Sequence, residues 1–182
     1  MPEIKVYPEI ESERLILRVP LIKDAPRITD LAGEFEIADT TLLIPHPYRL
    51  ADAEDWIQSI RPHWQDGKSL QFVIILKSES ILIGSIGLKD IDPVHQHGEL
   101  GYWIGKQWWN KGFATEAGRS VIKYAFQELH LHRVHAHHLA RNKASGSVLK
   151  KIGMHHEGTL REHIYKWGRF EDIEMYGVIN SG

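Results

Sequence analysis

Residues 108–117, WWNKGFATEA, set a short glycine turn directly ahead of a helix, and residues 99–104 before them read as a strand. The first turn of a helix carries backbone N–H groups without an intrahelical partner, and the positive end of the helix dipole lies there too. The two together make a seat for a phosphate. Gly112 lets ligand oxygens approach the backbone closely, and Ala114 and Thr115 keep the following positions small. The stretch therefore predicts a strand–turn–helix unit that takes a ligand carrying a pyrophosphate.

On its N-terminal side, residues 14–19 (RLILRV) alternate polar and apolar as a half-buried strand does. Residues 24–36 read as a helix with Ile28, Leu31 and Ala32 on one face, and the proline-bearing segment 41–48 (TLLIPHPY) as a loop. Asp52 caps a second helix running to about Gln65, with Trp56, Ile57, Ile60 and Trp64 on its apolar side. Residues 70–76 (LQFVIIL) and 81–91 (ILIGSIGLKDI) pair about the turn KSES, where Gly84 and Gly87 mark a bulge or a close backbone approach. GELGYWIG, residues 98–105, is the next strand.

On the C-terminal side, a helix over 112–129 places Phe113, Ala117, Val121 and Ala125 at spacings of four, and residues 133–139 (RVHAHHL) form a strand. Asn142 caps a short helix with Ala144, Val148 and Ile152 inward, ended by Gly153 in the left-handed conformation. Strands near 154–162 and 172–179 flank a turn at 166–169. Strand, two helices, three strands, helix, strand, helix, two strands: this order predicts a mixed α/β sheet of about seven strands with helices on both faces.

A chain of 182 residues suits one domain spanning 1–182. No apolar run approaches the roughly 18–20 residues that cross a bilayer, and the acidic N-terminus MPEIKVYPEIESERL lacks the apolar core of a secretory signal. A cytoplasmic protein without a membrane partner is the expectation. A net charge of −2 argues against a general nucleic-acid binder. The absence of cysteine excludes disulfides, cysteine-ligated metals and a cysteine nucleophile.

The element order, the WWNKGFATEA turn and the later ARNKASGSVLKKIGM resemble the GNAT acetyltransferases, and within them the RimJ/RimL branch, which acetylates the N-terminal amine of ribosomal proteins. GELGYWIG, the Arg133-Val134 pair opening a strand, and HHEGTLRE match as well, so the resemblance runs from ERLILRVP to the end. It implies the GNAT fold, with a twisted, mostly antiparallel mixed sheet, and acetyl-CoA as cosubstrate. Asn110, Lys111, Gly112, Phe113, Ala114 and Thr115 correspond to the turn that cradles the CoA pyrophosphate. The superfamily's Gln or Arg at the start of that turn is Trp109 here, which leaves the binding to backbone N–H groups. Tyr102, Trp103 and Ile104 correspond to the strand end that splays from its neighbour and pairs with pantetheine, and their N–H groups would hold the thioester oxygen as charge develops on it.

Ser145 falls in the N-x-A-S at the start of the family's last helix, where the hydroxyl lies near the CoA sulfur and protonates the departing thiolate. From its own sequence position alone, Ser145 reads first as a helix-start serine satisfying the backbone, and it is the resemblance that turns the reading to the thiolate. By the same resemblance Asn142 hydrogen-bonds pantetheine as well as capping. Lys143 joins these residues at the CoA site, and Lys111, Lys143 and Lys150 either meet the 3′-phosphate or are solvated.

A peptide α-amine, with a pKa of roughly 7.7–8.0, needs only mild help to lose its proton. Glu99, on the central strand, is the candidate base, directly or through a water; the alternative is a strand glutamate paired with a basic neighbour. Glu157, Glu162 and Tyr165 are weaker candidates. Without cysteine, direct attack in a ternary complex is favoured over an acyl-enzyme. His135, His137, His138, His155 and His156 raise the thought of a metal, but no HExxH spacing supports one and none is expected.

The implied activity is acetyl transfer to a primary amine, a protein N-terminus first and a small-molecule amine second, in a monomer or homodimer. A non-catalytic acyl-CoA sensor is the remaining alternative. The acceptor would lie among the first two helices, the 41–48 loop and the last strands, where Trp56 and Trp64 either wall a groove or fill the core.

Overall fold

The computed structural model describes residues 6–181; residues 1–5, which open the N-terminal segment read above, lie outside it. Eight strands form one sheet: β1 (Ile10–Glu11), β2 (Leu15–Arg18), β3 (Leu70–Leu76), β4 (Ile81–Asp92), β5 (His97–Ile104), β6 (Arg133–Leu139), β7 (His155–Lys166) and β8 (Arg169–Ile179). Their order is β1-β2-β3-β4-β5-β6-β8-β7, and every pair is antiparallel except β5–β6. Five α-helices join them: α1 (Ala25–Ala32), α2 (Phe35–Thr40), α3 (Leu50–Gln65), α4 (Phe113–Gln127) and α5 (Lys143–Lys151). The expected mixed α/β sheet is present, with the two-residue β1 added to the seven strands expected.

Both faces of the sheet are covered, because consecutive residues of a strand point to opposite sides. From Leu82 to Leu88 every residue of β4 is buried, which a strand covered on one side only does not show. The predicted helix stripes are in the core: Ile28, Leu31 and Ala32 on α1, and Phe113, Ala117, Val121 and Ala125 on α4. Trp64 is buried in the core against Tyr7, and the half-buried Trp56 packs on the same core.

Three local expectations are corrected. The single helix over 24–36 is two, because Gly33 ends α1 and Glu34 is extended (φ −62°, ψ 129°) before α2 begins. Asp52 is not the cap of α3; the helix starts three residues earlier, and the Asp52 carboxylate accepts the Arg49 N–H at 2.7 Å from inside the first turn. On α5 Gly146 and Leu149 point inward, with Val148 and the C-cap Ile152 against the core as expected, but Ala144 is exposed. Gly146 sets that face: a Cβ there would stand 2.8 Å from His138 Nε2, so only glycine lets the helix lie this close to β6.

Candidate active site

The site begins where β5 and β6 part. They pair at only three positions, His97↔Arg133, Gly98↔Val134 and Glu99↔His135, after which β6 continues against β8 alone. The rest of β5 keeps its partner on the other side, from Leu100↔Leu88 to Ile104↔Gly84. A wedge opens between the two central strands. In an antiparallel ladder alternate residues turn their N–H and C=O the same way. The Gly105 N–H donates to Ile83 at 2.8 Å, so Trp103 and Gly101 also face β4, while Tyr102 and Ile104 turn toward the wedge. This corrects the expectation for Trp103, whose N–H belongs to the ladder with Ser85.

One end of the wedge meets the glycine turn. Asn110 (φ 60°) and Gly112 (φ 82°) are both left-handed, the first a residue that tolerates this region and the second one that favours it. No side chain caps α4, which leaves the N–H groups of Phe113, Ala114 and Thr115 open at its first turn. The side chain of Phe113 is not part of the cradle: it is buried, with the Arg14 guanidinium 4.5 Å from its ring centroid. Lys111 and Lys143 are exposed and in no ion pair among the described residues. Trp109, the departure from the superfamily pattern, has a structural use, since its indole N–H donates to the Ile104 carbonyl at 2.6 Å and ties the turn to the end of β5.

Sequence reasoning missed how the turn is held. Glu116, in the first turn of α4, accepts hydrogen bonds from Ser12 Oγ, the Arg14 backbone N–H and Arg14 Nε, each at 2.7 Å. Arg14 Nη1 then donates to the Lys111 carbonyl at 3.1 Å. Burial opposes ionisation of Glu116, but these hydrogen bonds and the Arg14 charge win and lower its pKa. A bond between residues 102 apart leaves no local pattern in the sequence.

The face of β5 that bears Tyr102 carries α5. The Tyr102 hydroxyl lies 2.8 Å from Ser145 Oγ, and burial raises its pKa to about 12 despite the Ser145 hydrogen bond, so the phenol keeps its proton. Asn142 caps α5 as expected, its Oδ1 accepting the Ser145 N–H at 3.1 Å. Its amide also donates to the Thr40 carbonyl at 3.2 Å, which fastens the end of α2 beside Ser145 and leaves one N–H of Asn142 for a ligand.

The opposite face of β5 bears Glu99, Gly101 and Trp103. Glu99 is largely buried and ion-paired: Lys89 Nζ lies 2.9 Å away, His137 Nδ1 3.3 Å and His135 Nε2 3.9 Å. The paired-glutamate reading of Glu99 is the one these contacts match, and the carboxylate stands beside the wedge. Burial lowers the pKa of both histidines against the opposing pull of Glu99, so both are neutral near pH 7. At Gly101 a Cβ would meet nothing within 4 Å, so the space beside Glu99 is open.

The remaining candidates lie elsewhere. Glu157 is paired with Arg133, the Glu162 carboxylate accepts no hydrogen bond among the described residues while its N–H donates to Asp172, and Tyr165 meets Phe170 edge-on in the exposed hairpin. Strand alternation divides the histidines, with His135 and His137 facing Glu99 while His138 and His156 pack on Tyr176; His155 is exposed. Among the described residues no group of three or more His, Asp or Glu is disposed to hold a metal ion. The tip of the β7–β8 hairpin closes over α2, where Trp167 packs on Phe35, Lys166 donates to the Thr41 carbonyl at 2.7 Å, and Arg141 bridges Asp39 and Glu171.

Residues 14–155 match the family model described as an acetyltransferase (GNAT) domain. An uncharacterised N-acetyltransferase, p20, from Bacillus licheniformis is 32% identical over 92% of this chain and 94% of its own. The [ribosomal protein uS5]-alanine N-acetyltransferase of Escherichia coli is 25% identical over 90% of this chain and 86% of its own. A solved spermidine N-acetyltransferase from Vibrio cholerae, in complex with CoA and spermine, superposes with a TM-score of 0.81 at 24% identity, covering 93% of this chain and 98% of the other. The split central strands, the uncapped helix behind a left-handed glycine turn and the family match converge: this chain belongs to the GNAT acetyltransferases.

Proposed function

We propose that the protein transfers acetyl from acetyl-CoA to the N-terminal α-amine of a protein, by direct attack in a ternary complex, in the manner of the RimJ/RimL branch. The observation that carries the chemistry is the wedge after Glu99↔His135, with hydroxyl donors on one face of β5 and neutral imidazoles on the other. The pyrophosphate would sit on the N–H groups of residues 112–115, and pantetheine would run down the wedge along Tyr102 and Ile104. Their N–H groups would stabilise the oxyanion. As the amine nitrogen bonds to the acetyl carbon, the C–S bond breaks and the thiolate takes a proton from the Tyr102–Ser145 hydroxyl pair. The phenol serves as donor because it stays protonated throughout the neutral range.

A protein acceptor is supported by the uS5-directed relative and by the charge around the mouth. On α2 and β8, Glu36 is paired with Lys106, Asp39 with Arg141, and Glu171 with Arg141 and Arg169. A polyamine needs uncompensated carboxylates, and these three are already spent. A small-molecule amine is the second reading, favoured by the likeness to the spermidine enzyme. No helix among the described residues is long and apolar enough to cross a membrane, and a cytoplasmic setting fits a cosubstrate and acceptor of this kind.

The test is thiol release from acetyl-CoA with three acceptors: a peptide with a free N-terminal alanine, the same peptide N-acetylated, and spermidine. Turnover with the free peptide alone supports the protein acceptor, and turnover with spermidine alone moves the assignment to small amines. CoA binding without thiol release from any amine identifies a sensor.

A further inference from the structure

We propose that His137 is the group that takes the proton from the acceptor amine, with Glu99 and Lys89 as its positioning residues. The proposal rests on the acetyl-transfer reading of the wedge. His137 stands on β6 two residues beyond His135, the last residue paired with β5, so it is the first side chain on that face of the open wedge. Its Nδ1 lies 3.3 Å from Glu99 Oε1; with the proton on Nδ1 beside the carboxylate, Nε2 would keep its lone pair. No described residue hydrogen-bonds Nε2, and the side chain is 19% exposed. Across the wedge is Gly101, the position with open space above it. An amine entering over Gly101 meets the thioester from the face opposite Tyr102 and Ser145.

Glu99 is poorly placed to act as the base itself. Its Oε1 already faces both Lys89 Nζ at 2.9 Å and His137 Nδ1 at 3.3 Å, so it is turned to these partners and not to an amine over Gly101. A neutral imidazole is matched to an α-amine of pKa roughly 7.7–8.0. The atoms balance: the nitrogen forms its bond to carbon and gives its proton to His137 Nε2, while sulfur leaves with a proton from the hydroxyl pair. Both protons then exchange with solvent. The charged and titratable groups that act on His137 are Glu99 and Lys89 from β5 and β4 and His163 from β7, with His138 adding its influence from the other face of β6 and His135 and Arg133 further along that strand.

The experiment is the acid limb of kcat/KM for the alanine peptide in the wild type, H137Q, E99Q and K89M, with KM for acetyl-CoA as the check on folding. Both the amine and the base must be neutral, so log kcat/KM of the wild type falls with a slope of two below both pKa values. H137Q is expected to lose about a hundredfold in kcat, within the range of a general base, and to fall with a slope of one. E99Q keeps the slope of two with its lower break moved to lower pH, since a stabilising negative charge is gone. K89M moves the break to higher pH. If E99Q falls with a slope of one while H137Q keeps two, Glu99 is the base and the proposal is overturned. Unchanged kcat in H137Q overturns it equally. A wild type that binds CoA but releases no thiol overturns the acetyl-transfer reading, and this proposal with it.

Discussion

Glu116→Ala removes the brace behind the pyrophosphate turn. The carboxylate is 16% exposed and receives three hydrogen bonds of 2.7 Å, whereas the Arg14 side chain is 43% exposed. The Arg14 ion pair is therefore screened and contributes about 0.5 kcal/mol. The bonds from Ser12 and the Arg14 backbone, made to the less exposed carboxylate, contribute about 1 kcal/mol each after discount. The total of about 2.5 kcal/mol corresponds to a fall in Tm of about 5–10 °C for a chain of this size.

The same substitution frees Arg14 from its place against the Lys111 carbonyl, and the turn gains other conformations. If the competent form drops to about a tenth, the apparent Kd for acetyl-CoA rises about tenfold, or about 1.4 kcal/mol. The groups that do the chemistry are elsewhere, so kcat at saturating acetyl-CoA should hold within about twofold. Glu116→Gln, which keeps the shape and neutral acceptors, should show a smaller loss of both. Thiol release against acetyl-CoA concentration and thermal unfolding read the two effects. A lower Tm with an unchanged KM for acetyl-CoA would show that the brace stabilises the fold without shaping the turn. The lowered pKa of Glu116 also fixes a sign: its contribution is complete above the unfolded value, about 4.3, and is lost as pH falls through the folded one.

Three further outcomes follow from single distances. Gly101→Ala adds a Cβ that meets nothing within 4 Å, so Tm should change by less than about 2 °C, and the bulkier Gly101→Leu should lower kcat/KM for the amine at least about tenfold while acetyl-CoA affinity is kept; unimpaired amine turnover would move the acceptor path elsewhere. Gly84→Ala puts a Cβ 2.3 Å from the Trp103 carbonyl, a backbone atom that cannot swing away, and should cost about 1–3 kcal/mol by denaturant unfolding. Trp109→Phe removes the hydrogen bond to Ile104 and should raise KM for acetyl-CoA a few-fold for about 1 kcal/mol, with no change in KM for the amine.

Periodicity and caps made most of the fold legible. The stripe Phe113, Ala117, Val121 and Ala125 is buried because helix period alone decides it, and Asn142 caps α5 because that chemistry is local. Errors came where tertiary contact chose between local options, as at Gly33, or where an acidic residue fits both the cap and the first turn, as Asp52 does. The turn and the Ser145 helix were legible as contiguous strings. Lys89, Gly101 and His137 were not, because their meeting depends on the register Glu99↔His135 and on where β5 and β6 separate. The HAHH run shows two alternating faces, but nothing local says which face meets a carboxylate.

That dependence on register explains why one strand can organise both halves of the reaction. Along β5 the side chains alternate, so Glu99 and Gly101 lie on one face and Tyr102 on the other, with the Tyr102 and Ile104 N–H groups between them. On the proposed mechanism the sheet itself would keep acid and base apart. The cost is that a slip of one residue would exchange the faces, turning Tyr102 toward His137 and Gly101 toward Ser145. Gly84 resists such a slip. It accepts the Trp103 carbonyl oxygen so near that any side chain would collide, and a shift of one residue between β4 and β5 would bring Ile83 or Ser85 to that contact. Gly84 is therefore part of the site's alignment although it touches no reacting atom.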